Sequence, residues 1–146
     1  MKKLTLLIPL LLVIVGCTKE IPKGKLQDRN GTFYEVNSQT GFTGVTVDYF
    51  DNGQLAEKVT YKLGKMTGIT ENYYENGQLR EQKLLEDGKL NGLFEEYYEN
   101  GQFRSHSMWK DGKQNGFNYG LYKNGEIHYQ GRWKDGLKEG LHEVYS

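Results

Sequence analysis

Three histidines, His106, His128 and His142, and a set of regularly spaced carboxylates are the residues of this chain best suited to chemistry. A zinc site needs three or four such ligands converging in a fixed geometry. These histidines have no cysteine nearby, and His106 and His128 occupy different positions of an internal repeat. The pattern therefore predicts solvated imidazoles and no metal. Glu71, Glu95 and Glu143 recur at one repeat position. Paired acids could move protons, but repetition of a structural position accounts for them more simply. No nucleophile motif, phosphate loop or cofactor fingerprint occurs. The expectation is a non-enzymatic chain without a cofactor.

The aromatic residues are the stronger candidates. Tyr73, Tyr97, Trp109, Tyr119 and Trp133 are predicted to form an interaction face, Tyr and Trp being the types that dominate binding hot spots. Tyr74, Tyr98 and Tyr122 make a second row. The competing reading is that these rings pack the protein's own repeats against one another.

What must position them is a 24-residue repeat. Asn-Gly recurs at Asn52-Gly53, Asn76-Gly77, Asn100-Gly101 and Asn124-Gly125. A second turn recurs at Leu63-Gly64, Asp87-Gly88, Asp111-Gly112 and Asp135-Gly136, and a third glycine at Gly44, Gly68, Gly92, Gly116 and Gly140. The turn glycines Gly53, Gly77, Gly88, Gly101, Gly112, Gly125 and Gly136 are read as structural, because tight turns need positive φ. Between turns, apolar residues fall on odd numbers, among them Val45, Val47, Val59, Tyr61, Ile69, Leu85, Leu93 and Phe117. Period-two alternation means strands with one apolar face.

If that face is to be continuous, odd residues must pair with odd. A three-residue loop Glu75-Asn76-Gly77 pairs Tyr74 with Gln78 and Tyr73 with Leu79, and the same logic applied to Glu86-Asp87-Gly88 pairs Leu85 with Lys89. The predicted architecture is all-β: an elongated, twisted, single-layer antiparallel meander of about ten strands, about 48 Å long. Residues 29–43, with Asn30-Gly31 and Thr40-Gly41, are read as a degenerate first unit, and 44–146 as the regular repeats.

The N-terminus carries an address. Lys2 and Lys3 precede an apolar run, Leu4 to Val15, too short for a spanning helix and suited to a signal peptide over residues 1–16. The run ends in Ile14-Val15-Gly16-Cys17, which resembles the lipobox of bacterial lipoproteins. The resemblance implies acylation of Cys17, with chains such as palmitate, and residues 17–28 as a lipidated tether. Thr18 in place of Asp implies the outer membrane or cell surface rather than the inner membrane. From Cys17 onward there are 17 Lys+Arg against 19 Asp+Glu, a formal charge of −2 that argues against nucleic acid.

The stretches Tyr73-Tyr74-Glu75-Asn76-Gly77-Gln78-Leu79 and Gly88-Lys89-Leu90-Asn91-Gly92-Leu93 resemble the bacterial MORN-repeat variant, found in proteins labelled YwqK-family antitoxins. The resemblance covers roughly Gly44 to Ser146. It implies stacked hairpins in one elongated sheet and an interaction role. The resulting expectation is a membrane-anchored lipoprotein of the cell envelope whose sheet is a protein-interaction module or scaffold, binding an unidentified protein partner or itself. The alternative is a module for glycans or lipid headgroups using the Tyr/Trp rows.

Overall fold

The computed structural model describes residues 18–146. The predicted signal peptide and Cys17 lie outside the described residues.

The described residues form thirteen strands: β1 (Glu20–Pro22), β2 (Leu26–Asp28), β3 (Phe33–Glu35), β4 (Gly44–Tyr49), β5 (Leu55–Lys62), β6 (Lys65–Tyr73), β7 (Leu79–Glu86), β8 (Lys89–Tyr97), β9 (Phe103–Lys110), β10 (Lys113–Gln114), β11 (Gly116–Leu121), β12 (Ile127–Lys134) and β13 (Leu137–Val144). From β4 onward the strands pair antiparallel in the order β4-β5-β6-β7-β8-β9-β11-β12-β13 in one long sheet, with short β10 pairing only β9, and β1 adds to the β4 edge in parallel. The β2–β3 hairpin stands apart from that sheet. The predicted all-β meander is what the chain forms, with a parallel strand added at one edge.

Residues 18–28, expected as a tether, contribute β1, a 3₁₀ turn over Lys23–Lys25 and β2. Their structure has an apolar cause. Ile21, Leu26, Phe33 and Met66 pack around a core of Phe42, Val59 and Tyr61. Phe33 and Tyr61 meet edge-on with centroids 5.2 Å apart. Full burial of such a side chain stabilises by roughly 1.5–3 kcal/mol and partial burial by less, and the partly buried Ile21, Leu26 and Phe33 close the segment over one face at the first repeat.

The Asn-Gly loops form as three-residue loops. Tyr74 N–H donates to Gln78 O at 2.8 Å, Gly77 N–H to Tyr74 O at 2.9 Å, and Tyr73 pairs with Leu79. The Asp-Gly loops do not. Glu86 pairs with Lys89, not Leu85 with Lys89, leaving a two-residue loop with φ of 49° at Asp87 and 78° at Gly88. Positive φ at both central residues is the type I′ geometry, whose twist matches that of the flanking strands. A bulge also follows each Asn-Gly loop: after Tyr73–Leu79 the next pair is Asn72–Glu81, so Arg80 is the extra residue.

Together these overturn the single odd-numbered face. Pairing through the body of each hairpin is odd with even, as in Ile69–Leu84 and Leu93–Met108. Odd residues of the long strands therefore share a front face with even residues of the short strands. Odd residues of the short strands, Val59, Leu85, Trp109 and Trp133, lie on the back.

Repeat is locked to repeat along both edges. Gly88 N–H donates to Met66 O, Gly112 to Leu90 O and Gly136 to Gln114 O, at 2.8–2.9 Å. On the other edge Tyr74 Oη donates to Tyr97 O (2.9 Å), Tyr98 to Leu121 O (2.7 Å) and Tyr122 to Tyr145 O (2.6 Å). Asn52 and Asn76 side chains donate to the carbonyls of Glu75 and Glu99, 2.8 Å each. The second tyrosine row thus joins neighbouring repeats.

Candidate functional site

The front face is striped across the strands. Beside the Asp-Gly turns runs a row of Lys62, Lys65, Glu86, Lys89, Lys110, Lys113 and Lys134, set by the terminal pairs of the hairpins. Next comes an apolar row of Ile69, Leu84, Leu93, Met108 and Phe117. Ile69 is 56 % exposed, Phe117 42 %, Leu84 38 % and Met108 37 %. Ile69, Leu84 and Leu93 line a shallow cleft of about 150 Å³. Then follows a polar row whose members pair strand by strand: Lys58, Glu71, Gln82, Glu95, His106, Tyr119, Gln130 and Glu143. An aromatic row, including Tyr73, Leu79, Tyr97, Phe103 and Leu121, borders the Asn-Gly loops.

The carboxylates of the polar row are held by the sheet itself. Glu95 accepts from Gln82 Nε2 at 2.6 Å and Tyr97 Oη at 2.9 Å. Glu143 accepts from Gln130 Nε2 and Tyr145 Oη, both at 2.6 Å. These two bonds hold the Glu143 carboxyl below its ordinary range. Desolvation raises Tyr97, and its bond to Glu95 adds to the effect. Tyr73 is raised by desolvation and then by Glu71. With carboxylates two strands apart, roughly 9.6 Å, and bonded to amide and phenol donors, the row fixes side chains in place and presents spaced negative charge.

The five predicted interface residues are not brought together. Tyr73, Tyr97 and Tyr119 are on the front, where Tyr97 meets Phe103 edge-on at 5.7 Å and Tyr119 stacks on His106 at 5.3 Å. Trp109 and Trp133 are on the back. Trp109 Nε1 donates to Ser107 Oγ at 2.8 Å. Gly131 stands where the next repeat would carry that hydroxyl, and Trp133 packs instead against the His142 ring at 5.6 Å. The back face is mixed at its centre: Asn72 donates to Glu81 and Ser105 to Glu96, beside apolar Leu85, Leu90 and Phe94.

The histidines are dispersed: His106 on the front, His128 tilted against Tyr122 with centroids 4.3 Å apart, and His142 on the back, its Nε2 donating to Arg132 O at 2.7 Å. Among the described residues no group of three or more His, Cys, Asp or Glu could hold a metal ion. Sequence reasoning missed Leu84 and Met108, which complete the front apolar row, and the lysine row beside it. The Asp-Gly dipeptide, the preferred type I′ pair, was the signal that could have found them.

The family model described as MORN repeat variant matches residues 42–63, 66–87 and 90–111. The family model thus matches three tandem repeats, each spanning a long strand, its Asn-Gly loop and the short strand that follows (β4–β5, β6–β7 and β8–β9), and the β11–β12 hairpin continues the same plan. Such repeats are generally non-enzymatic and suggest a repeat-based binding or scaffold module. No curated protein and no solved structure matches the chain.

Proposed function

We propose that this protein is a non-enzymatic scaffold, hung in the cell envelope by an acylated Cys17, whose front face binds a protein. The observation that carries the binding reading is the apolar row of exposed Ile69, Leu84, Met108 and Phe117 with half-buried Leu93 among them. Contiguous apolar surface of several hundred Å² marks an interaction site. The back face, by contrast, is covered at its first repeat, and at its centre Leu85 is buried and Asn72 and Ser105 are bonded to Glu81 and Glu96. An antitoxin-like role reduces to the same act, capture of one protein by this face on the envelope side. The outer membrane or cell surface is the address that Thr18 after Cys17 favours.

Met108 and Trp109 are sequence neighbours on opposite faces. A photo-reactive amino acid at position 108 in living cells should give a discrete protein adduct, and one at 109 should not. Adducts from neither position, or equally from both, would sink the front-face reading. Metabolic labelling with a fatty-acid probe tests the anchor: labelled wild type with unlabelled Cys17→Ser supports it, and unlabelled wild type rejects it.

A further inference from the structure

The stripes of the front face are ordered basic, apolar and polar, the last carrying Glu71, Glu95 and Glu143, and at the centre of the sheet that order is self-complementary. We propose that the occupant of the front face is a second copy of this chain, packed face to face about a two-fold axis along the apolar row. The inference rests on the front face being the binding surface.

Turning one sheet over about that row leaves Leu84, Leu93 and Met108 against their own counterparts. It carries the lysine row of each copy over the polar row of the other. On β8, Lys89 and Glu95 lie on either side of Leu93, so Lys89 of one copy meets Glu95 of the other, and the reverse. On β9, Lys110 and His106 flank Met108, which brings Lys110 over His106 and the neighbouring Glu95. On β7, Glu86 and Gln82 flank Leu84, so the one acid within the basic row faces an amide rather than a carboxylate. Glu86 also accepts a bond from Asn91. Lys89, Lys110, Lys113 and Lys134 are exposed. Lys65 is bonded to Gly31 O at 2.6 Å.

The area is adequate. Seven strands, β5 to β9 with β11 and β12, at about 4.8 Å each and about 20 Å long present roughly 700 Å², against about 800 Å² per partner in a standard interface. Twisted sheets pack about 10 Å apart and about 30° off parallel, so the central repeats with Leu84, Leu93 and Met108 make the contact. The Glu95 carboxylate is already aimed by Gln82 and Tyr97, so little ordering is needed when Lys89 arrives.

Sedimentation equilibrium of the full chain over a wide concentration range, with circular dichroism as a folding check, tests this. Wild type should be a reversible dimer that weakens with added salt. Leu93→Glu and Met108→Glu should remain folded and weaken the dimer by on the order of a hundredfold, because each places an unpaired charge at the centre. Lys89→Glu should weaken it about tenfold, since the two-fold counts the pair twice. Lys89→Glu with Glu95→Lys should restore it to within about threefold of wild type. A chain monomeric at every concentration overturns the proposal, as does a dimer indifferent to the central glutamates or a swap without restoration. A monomer that still gives a heterologous adduct from position 108 overturns self-docking alone, whereas no adduct there removes the binding reading itself.

Discussion

Replacing Tyr98 by Phe isolates one link between repeats. The Tyr98 hydroxyl donates to Leu121 O at 2.7 Å, reaching from the end of one hairpin to the next long strand. The ring itself is compatible with the position, because the first repeat carries Phe50 there. The substitution therefore removes a hydrogen bond without removing packing. A neutral hydrogen bond contributes about 1 ± 0.5 kcal/mol net, and the site is only half-buried, so Leu121 O can be rehydrated. The expected loss is about 0.5–1.5 kcal/mol. For a chain of this length that is a fall in Tm of about 2–6 °C. Because repeat stability is close to a sum of units and nearest-neighbour contacts, Tyr74→Phe with Tyr98→Phe should cost about twice as much. Thermal and urea unfolding followed by far-ultraviolet circular dichroism measures both. A Tyr98→Phe protein within about 0.2 kcal/mol of wild type would show that the hydroxyl row does not hold the repeats together.

Other outcomes follow from backbone and phenol chemistry. Leu63 is 68 % exposed and sits at φ 50°, where the later repeats place Asp, so Leu63→Asp should stabilise the chain by about 0.5–1 kcal/mol in urea unfolding. Gly92 has φ 123° and an added Cβ would lie 2.7 Å from Leu84 Cδ2, while Gly88 (φ 78°) has open space. Gly92→Ala should therefore cost about 1–3 kcal/mol and more than Gly88→Ala. Tyr61 is raised by burial, and Tyr73 and Tyr97 by desolvation and then by a neighbouring carboxylate. A raised folded value means that the neutral phenol supports the fold. That contribution is full below about pH 10 and is lost as pH rises through the folded values. Tyrosinate absorbance at high pH should lag behind free tyrosine and rise together with loss of the sheet.

The repeat period, the hairpins and the Asn-Gly loops were legible because each is marked by residues whose backbone freedom is scarce. The faces were not. Odd-numbered Leu85 and Ile69 look like one row, and only the two-residue Asp87-Gly88 turn and the bulge at Arg80 separate them. A one-residue slip in register moves every side chain to the other face, so a small error in one loop redistributed the whole candidate site. Trp109 and Trp133 went to the back for this reason, and Leu84 and Met108 came to the front. The strand Glu20-Ile21-Pro22 was illegible for another reason: three residues give no periodicity, and the strand exists because Ile21 reaches a core contributed from Phe42, Val59 and Tyr61.

The most direct measurement uses the adjacent residues Leu84 and Leu85 in a Cys17→Ser background. Single cysteines at 84 and 85 are labelled with a small maleimide at low protein concentration. An open front apolar row predicts fast labelling at 84 and slow labelling at 85, which is 7 % exposed, with 84 becoming protected as concentration rises. Equal rates, or faster labelling at 85, would return the sheet to a single odd-numbered face and contradict the account.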